Sequence, residues 1–290
     1  MTGILIRRMT LGDIDGATEL RRLAGWNQTH ADWRRQLDLE PEGCFVVCEN
    51  GEVVGTVTTT RHGSALGWIG MMLVHPDHRS RGIGRKLMEQ ALAYLRARGI
   101  RCVKLDATPA GKPLYESLGF LDECRLTRWR RPERARRVGI EDAADAGIRT
   151  LERRDLRAVE ALDLKAFGAG RLSLLKHMYI LARAKLVWTD GVSGEVTGWG
   201  LLRPGEQADY LGPLICGSQQ GVAALVRALL RAAEMRPVIW DIFDENGPAI
   251  DLARQFGFAP ERPLTRMYCG EPMSIGDISA QFAIADPAVG

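Results

Sequence analysis

The chain has 290 residues, 26% of them charged and 46% hydrophobic, with a formal net charge of +3. That length and balance suit a folded protein with a large core, and the charge is too small to argue by itself for nucleic acid or an acidic membrane as the partner. No apolar run approaches the roughly 20 residues of a membrane span, and the start Met-Thr-Gly-Ile-Leu-Ile-Arg-Arg is too short in its apolar part for a signal peptide.

In chain order, residues 4–8 read as a strand, 13–24 as a helix capped by Asp13, and 30–38 as further helix. Residues 44–48 and 53–60 are apolar or alternating and are joined by Asn50-Gly51, a strong hairpin signal. An apolar strand at 69–74 runs into the basic loop His75-Pro-Asp-His-Arg-Ser-Arg-Gly82, and a helix follows with Leu87, Ala91 and Leu95 on one face. Residues 102–107 form the next strand. Thr108-Pro109 reads as a helix start and Gly119 as its stop. Six scattered cysteines, at 44, 48, 102, 124, 216 and 269, show no paired spacing and fit buried thiols in a reducing cytoplasm.

The junction at 69–84 is the most informative stretch. A strand–loop–helix turn of this kind aims unpaired backbone N–H groups and the positive end of a helix dipole at one point. Gly82 and Gly84 allow close approach to the backbone, Arg79 and Arg81 add charge, and the matching guest is a diphosphate. The loop lacks the Gly-x-x-x-x-Gly-Lys-Ser/Thr pattern of nucleoside triphosphate sites and the third glycine of the dinucleotide fingerprint.

Arg79, Gly82 and Gly84 fill the Arg/Gln-x-x-Gly-x-Gly/Ala pattern that follows a Leu-x-Val-x-Pro-like strand end (Leu73, Val74, Pro76), and here the chain resembles the GNAT superfamily of N-acyltransferases. The resemblance implies that Met72, Leu73, Val74, Arg79, Ser80, Arg81, Gly82, Ile83, Gly84 and Arg85 hold acetyl-CoA, with the Met72 N–H bonding the pantetheine arm or the thioester oxygen. Tyr115, four residues before Gly119-Phe120, matches the family's Tyr-x-x-x-Gly-Phe segment, in which the tyrosine approaches the sulfur and can protonate the departing thiolate.

The chain also repeats itself. Ile6-Arg7 and Asp13-Ile14 recur as Ile148-Arg149 and Asp155-Leu156, and Leu118-Gly119-Phe120 recurs as Phe256-Gly257-Phe258. A period this long signals duplication of a domain. The second copy is four residues shorter across the diphosphate loop, where Cys216-Gly-Ser-Gln-Gln-Gly221 has no arginine, and Ala253 stands in place of Tyr115. The expected architecture is α/β (α+β): two tandem GNAT-like domains, each a mixed, mostly antiparallel sheet flanked by helices. Residues 1–129 form the acyl-CoA domain, 130–146 an arginine-rich linker, 147–269 a degenerate copy that shapes the acceptor pocket, and 270–290 a tail. In the second copy, 156–167 and 222–233 read as helices and 186–189, 197–202 and 238–243 as strands. The resemblance extends to a bacterial two-domain group, with matching elements at 166–171, 202–205, 210–213 and 265–267.

The function implied is N-acetylation of the primary amine of a small molecule by direct transfer, in a cytoplasmic enzyme without metal, nucleic-acid or membrane partners. Trp68, Phe167, Arg171, Tyr210 and Trp240 are the candidate acceptor-pocket residues. The general base has no clear owner: the loop strand carries no carboxylate, and Asp106 reads equally as a base or as a helix cap. The alternative is a non-catalytic acyl-CoA sensor or scaffold. Whether the protein is a monomer or a homodimer stays open.

Overall fold

The computed structural model describes residues 5–133, 147–274 and 276–290. The arginine-rich stretch from Arg134 to Ala146 lies outside them. The chain divides into two compact units, one of Met1–Glu123, Arg266–Met273 and Pro287–Gly290, the other of Cys124–Thr265 and Ser274–Asp286. The duplicated sequence and these units part company at the last strand of each copy: most of the strand that ends the first copy belongs to the second unit, and the end of the matching strand returns to the first.

The first unit contains β1 (Leu5–Arg8), α1 (Ile14–Leu23), α2 (His30–Leu39), β2 (Phe45–Glu49), β3 (Glu52–His62), β4 (Leu66–Val74), α3 (Ile83–Arg96), β5 (Cys102–Ala107) and α4 (Lys112–Glu116), with the first residues of β6 (Leu121–Arg131). Strands β1 to β4 are antiparallel neighbours in sequence order. Asn50 and Gly51 take the positive φ values, +53 and +85, that the tight β2–β3 turn requires. Strand β5 lies parallel to β4. One face of the sheet packs on α3 through Ile83, Leu87, Met88, Ala91, Leu92 and Leu95, together with Ile69, Val103, Leu105 and Tyr115. Each buried leucine there contributes about 1.5–3 kcal/mol. The other face packs on α1 and α2 through Ile14, Ala17, Leu20, Trp33 and Leu37, against Val46, Met71, Leu73 and Ala288.

The second unit continues β6 and adds β7 (Ile148–Thr150), α5 (Leu156–Phe167), α6 (Leu172–Leu181), β8 (Ala184–Thr189), β9 (Val196–Arg203), β10 (Asp209–Cys216), α7 (Gln219–Ala232), β11 (Val238–Phe243), α8 (Gly247–Gln255), the first part of β12 (Ala259–Gly270) and β13 (Gln281–Ala283). Strands β7 to β10 form an antiparallel meander, β11 lies parallel to β10, and β6 lies antiparallel to β11. Its core gathers Val222, Leu225, Val226 and Leu229 of α7 with Trp240, Phe256 and Phe258. The elements α6, α8 and β13 have no counterpart in the sequence reading. Asp13 is the N-cap residue of α1 as expected, but its carboxylate serves the turn before the helix. Asp13 closes a capping box with Thr10, whose N–H and hydroxyl donate to it at 2.8 and 2.9 Å, while Arg7 donates to the same carboxylate at 2.6 and 2.7 Å. The helix expected at Thr108-Pro109 begins instead at Lys112, with a turn in which the Gly111 N–H reaches the Thr108 hydroxyl.

Candidate active site

Strand β4 carries a bulge. Thr56 faces Leu73 and Thr58 faces Gly70, so Met71 and Met72 together oppose Val57 alone. Met71 takes φ +48, an uncommon value for a methionine, and its carbonyl accepts the Thr56 hydroxyl at 2.7 Å. The extra residue redirects the strand. Gly70 and Met71 turn to the α1–α2 face, while Met72 and Val74 pack toward α3.

Beyond Trp68, β4 also loses its second neighbour. Its parallel pairing with β5 covers only Leu66–Trp68 against Cys102–Lys104, and 69–74 has no partner on that side among the described residues. Because the His75 N–H points to β3, bonding the Val54 carbonyl at 2.9 Å, strand alternation aims the N–H groups of Met72 and Val74 at the open edge.

The loop then delivers the chain to α3. Ser80 and Gly82 both adopt positive φ, +60 and +79. Gly82 is the N-cap and no side chain caps the helix. The first backbone bond of the helix, Lys86 N–H to the Gly82 carbonyl at 3.1 Å, leaves the N–H groups of Ile83, Gly84 and Arg85 ahead of it. A Cβ on Gly82 would meet nothing within 4 Å, whereas one on Gly84 would lie 3.3 Å from Leu114 of α4 and 3.7 Å from Met72 and Val74. Gly84 is thus the point where strand, helix and α4 meet. Arg85 fastens the same junction, donating at 2.8 Å to Ser117 at the end of α4.

The loop arginines divide their roles. Arg81 forks onto Glu49 at 2.6 and 3.0 Å, and His78 lies 2.7 Å from the same carboxylate, so Arg81 anchors the loop to β2 and its charge is already matched. Arg79 makes one long bond, 3.4 Å to the Val74 carbonyl. His75 and His78 pack edge-on and, among the described residues, no group of three His, Cys, Asp or Glu side chains could hold a metal.

Tyr115 sits on the α3 face. Its ring folds back over Gly111, one turn earlier, and leans on Phe120 at 6.1 Å between centroids. The hydroxyl has no hydrogen bond to a described residue. Burial pushes its pKa up to about 12.

The corresponding place in the second unit is closed. The hydroxyl of Ser218 caps α7, accepting from the Gly221 N–H at 3.2 Å. The Trp188 indole lies so close that a Cβ on Gly221 would be 2.7 Å from it. Cys216, with its thiol directed at the Ser218 carbonyl, fills the remaining side.

The other residues singled out from sequence fall elsewhere. Asp106 is neither a free base nor a helix cap: Arg266 grips both its oxygens at 2.8 and 2.9 Å, with the side chain fully buried. Trp68 is buried, with its indole N–H on the Pro287 carbonyl at 3.0 Å and Arg266 over its ring. In the second unit Arg171 stacks on Phe167 and forks onto Asp163, Tyr210 donates to Asp241, and Trp240 donates to the Phe282 carbonyl. All four are buried, each with a partner inside the second unit.

The sequence reading does not single out the polar face of β3. Thr56, Thr58, Thr60 and His62 alternate along one side of that strand and are all buried. The recurrence of threonine at 56, 58 and 60, followed by His62, along one face of the strand is the signal that could have found it.

A GNAT-family acetyltransferase model matches residues 15–120, and a second GNAT-domain model matches 159–283. The chain belongs to the GNAT acetyltransferases, with one family domain in each half. Among its relatives is YitH, an uncharacterized N-acetyltransferase of Bacillus subtilis (strain 168), 26% identical over 84% of both chains. A solved protein of Pyrococcus horikoshii superposes with a TM-score of 0.83 at 23% identity, covering 100% of this chain and 97% of its own. A tandem GNAT protein from the clavulanic acid biosynthesis pathway gives 0.71 at 18% identity, covering 94% of this chain and 100% of its own. At these identities the two structures establish the shared tandem fold. No helix among the described residues of this GNAT acetyltransferase is long and apolar enough to cross a membrane.

Proposed function

We propose that the protein transfers an acetyl group from acetyl-CoA to the primary amine of a small molecule, directly and at one site per chain. The observation that carries this reading is the contrast between the two equivalent helix starts. That of α3 is uncapped, left-handed at Gly82 and open to solvent, whereas that of α7 is capped by Ser218 and packed by Trp188.

In this reading the free amides opening α3, with Arg79, Ser80, Gly82, Ile83 and Gly84 around them, bind the diphosphate, while Arg81 and Arg85 hold the loop in place through Glu49 and Ser117. The open edge of Met72, Leu73 and Val74 pairs with the pantetheine arm, and the Met72 N–H polarises the thioester carbonyl. The amine nitrogen attacks the carbonyl carbon, the C–N bond forms, the C–S bond breaks, and sulfur leaves as thiolate.

Tyr115 is the donor to that thiolate. With its pKa near 12 against about 8.5 for an ordinary thiol, complete transfer is uphill in the resting site. Its first contribution is therefore a hydrogen bond to the developing charge, and the thiolate's proton is balanced by the one that the attacking nitrogen gives up as the neutral amide forms. Asp106 is set aside as base because Arg266 occupies it. No carboxylate lies on β4, so the acceptor sheds its proton to solvent before attack, and turnover should rise with the fraction of neutral amine.

Thiol release from acetyl-CoA in the presence of a panel of small amines tests this. Tight acetyl-CoA binding without release for any amine would instead identify an acyl-CoA sensor.

A further inference from the structure

The stretch 281–290 belongs to both units, up to Asp286 in the second and from Pro287 to Gly290 in the first. It meets an equivalent glycine in each. In the second unit a Cβ added to Gly212 of β10 would fall 2.3 Å from the Ile284 carbonyl oxygen; in the first, one added to Gly70 of β4 would fall 2.2 Å from the Ala288 carbonyl oxygen. Beyond those glycines the two strands are treated differently. Strand β11 accompanies β10 only at Asp209 and Tyr210, and β13 then takes over that edge, pairing Ala283 with Leu214 and Gln281 with Ile215. The edge of β4 from Met72 to Val74 has no such partner among the described residues. Pro287–Gly290 packs instead on the face behind it, where Ala288 joins Met71 and Leu73 in one apolar cluster. Two side chains pin it there on either side of Ala288. The Trp68 indole donates to the Pro287 carbonyl at 3.0 Å, and His62 Nε2 lies 2.9 Å from the Val289 carbonyl.

A strand left unpaired on one side, with a methionine at φ +48, keeps that shape only where its surroundings enforce it. On one face α3 does so through Ile83 and Leu87; on the other stands the pinned segment. We propose that Pro287–Gly290 is a positioning segment for acetyl-CoA: by bracing Gly70 and the Met71 bulge from behind, it keeps the N–H groups of Met72 and Val74 directed at the open edge. This rests on the reading that the pantetheine arm pairs with that edge. The contrast with β10 is what points to bracing. Where no ligand enters, the stretch fills the strand's edge; where one must enter, it leaves the edge clear and supports the face. The brace acts on β4, whereas the diphosphate is gripped by the start of α3, so the two halves of acetyl-CoA should respond differently to its loss.

The test compares, by calorimetry, the binding of acetyl-CoA and of ADP, which carries a diphosphate but no pantetheine arm, to wild type, Gly70→Ala and Trp68→Phe. Gly70→Ala sets a methyl group against the Ala288 carbonyl and should raise the Kd for acetyl-CoA about tenfold, within the range of couplings carried through packed side chains. Trp68→Phe removes one tether while keeping an aromatic ring, and should raise that Kd about threefold, the worth of one hydrogen bond. In both variants the Kd for ADP should stay at its wild-type value. General weakening of the first unit would move both ligands together, so the ratio of the two Kd values separates bracing from loss of fold. Trp68→Phe carries the comparison should Gly70→Ala not fold. An unchanged acetyl-CoA Kd in the folded variants, or equal losses for the two ligands, would overturn the brace alone. Wild type that binds acetyl-CoA but no ADP would overturn the division into two grips on which the brace depends. Wild type that binds no acetyl-CoA would overturn it together with the proposed function.

Discussion

The carboxylate of Asp106 and the guanidinium of Arg266, 160 positions apart in sequence, form a buried two-pronged pair at 2.8 and 2.9 Å. The second unit holds its mirror, Asp241 with Arg128 at 2.6 and 2.8 Å. In each pair the aspartate sits on one copy's inner strand and the arginine on the other copy's last strand, so the exchange of final strands is recorded in two reciprocal ion pairs. Removing one partner of such a pair leaves a buried charge unmatched, at a cost of about 3–5 kcal/mol. Asp106→Asn should therefore lower the urea midpoint sharply, and Asp241→Asn should do the same. Turnover per folded molecule of Asp106→Asn should stay near wild type. Loss of kcat with intact stability would return Asp106 to the role of base.

Gly82 combines a left-handed backbone with open space beside it. Gly82→Val should abolish acetyl-CoA binding, since a branched side chain would stand where the diphosphate lies. Backbone strain alone contributes about 1–3 kcal/mol, and Gly257 supplies the control, because it has φ +80 and nothing within 4 Å of an added Cβ. Gly257→Val should destabilise to a similar degree, as judged by thermal unfolding, yet leave calorimetric acetyl-CoA affinity intact. Equal loss of affinity in both would mean that strain, not occupancy, is at work.

Tyr115→Phe should lower kcat by one to two orders of magnitude, within the range of proton-transfer assistance, with little change in acetyl-CoA affinity. The pH profile adds a second check. A phenol held near pKa 12 stays protonated throughout the working range, so the wild-type rate should climb with amine deprotonation and show no alkaline fall near pH 10. A descending limb at that point would place a differently poised acid in the site.

At the acid end, the hydrogen bonds from Arg7 lower the Asp13 pKa from 3.8 to about 2. A depressed carboxylate stabilises the fold above its unfolded value and loses that contribution as pH falls through the folded one. The gap in urea midpoint between wild type and Asp13→Asn should thus be full at pH 6 and close between pH 4 and 2. Arg149 lowers Asp155 in the same way in the second unit. A gap that persists at pH 2 would exclude this linkage.

Much of this was legible in sequence where local rules act alone. The Asn50-Gly51 hairpin, the apolar face of α3, the Gly82 and Gly84 junction and the duplicated Arg7–Asp13 spacing are each set by residues within a turn or two of one another. The failures are non-local. Asp106 looked like a base or a cap because nothing nearby in sequence shows Arg266. The partners of Phe167, Arg171, Tyr210 and Trp240 were equally hidden, because large polar or aromatic groups read alike in a cleft and in a satisfied core. Val289 and His62 are 227 residues apart, and no periodicity in either segment could pair them.

Binding stoichiometry is the most direct consequence of the duplication. Wild type should bind one acetyl-CoA per chain, and Gly82→Val none. Opening the second helix start should not create a site. Ser218→Gly would free the Gly221 N–H, but the Trp188 indole and the Cys216 thiol remain against that turn, no arginine lies in 216–221, and Ala253 replaces the tyrosine. Calorimetry on wild type, Gly82→Val and Ser218→Gly should read one, zero and one. Two equivalents bound by wild type, or one retained by a folded Gly82→Val, would place an acetyl-CoA site in the second half and remove the distinction between the two helix starts on which the functional reading stands.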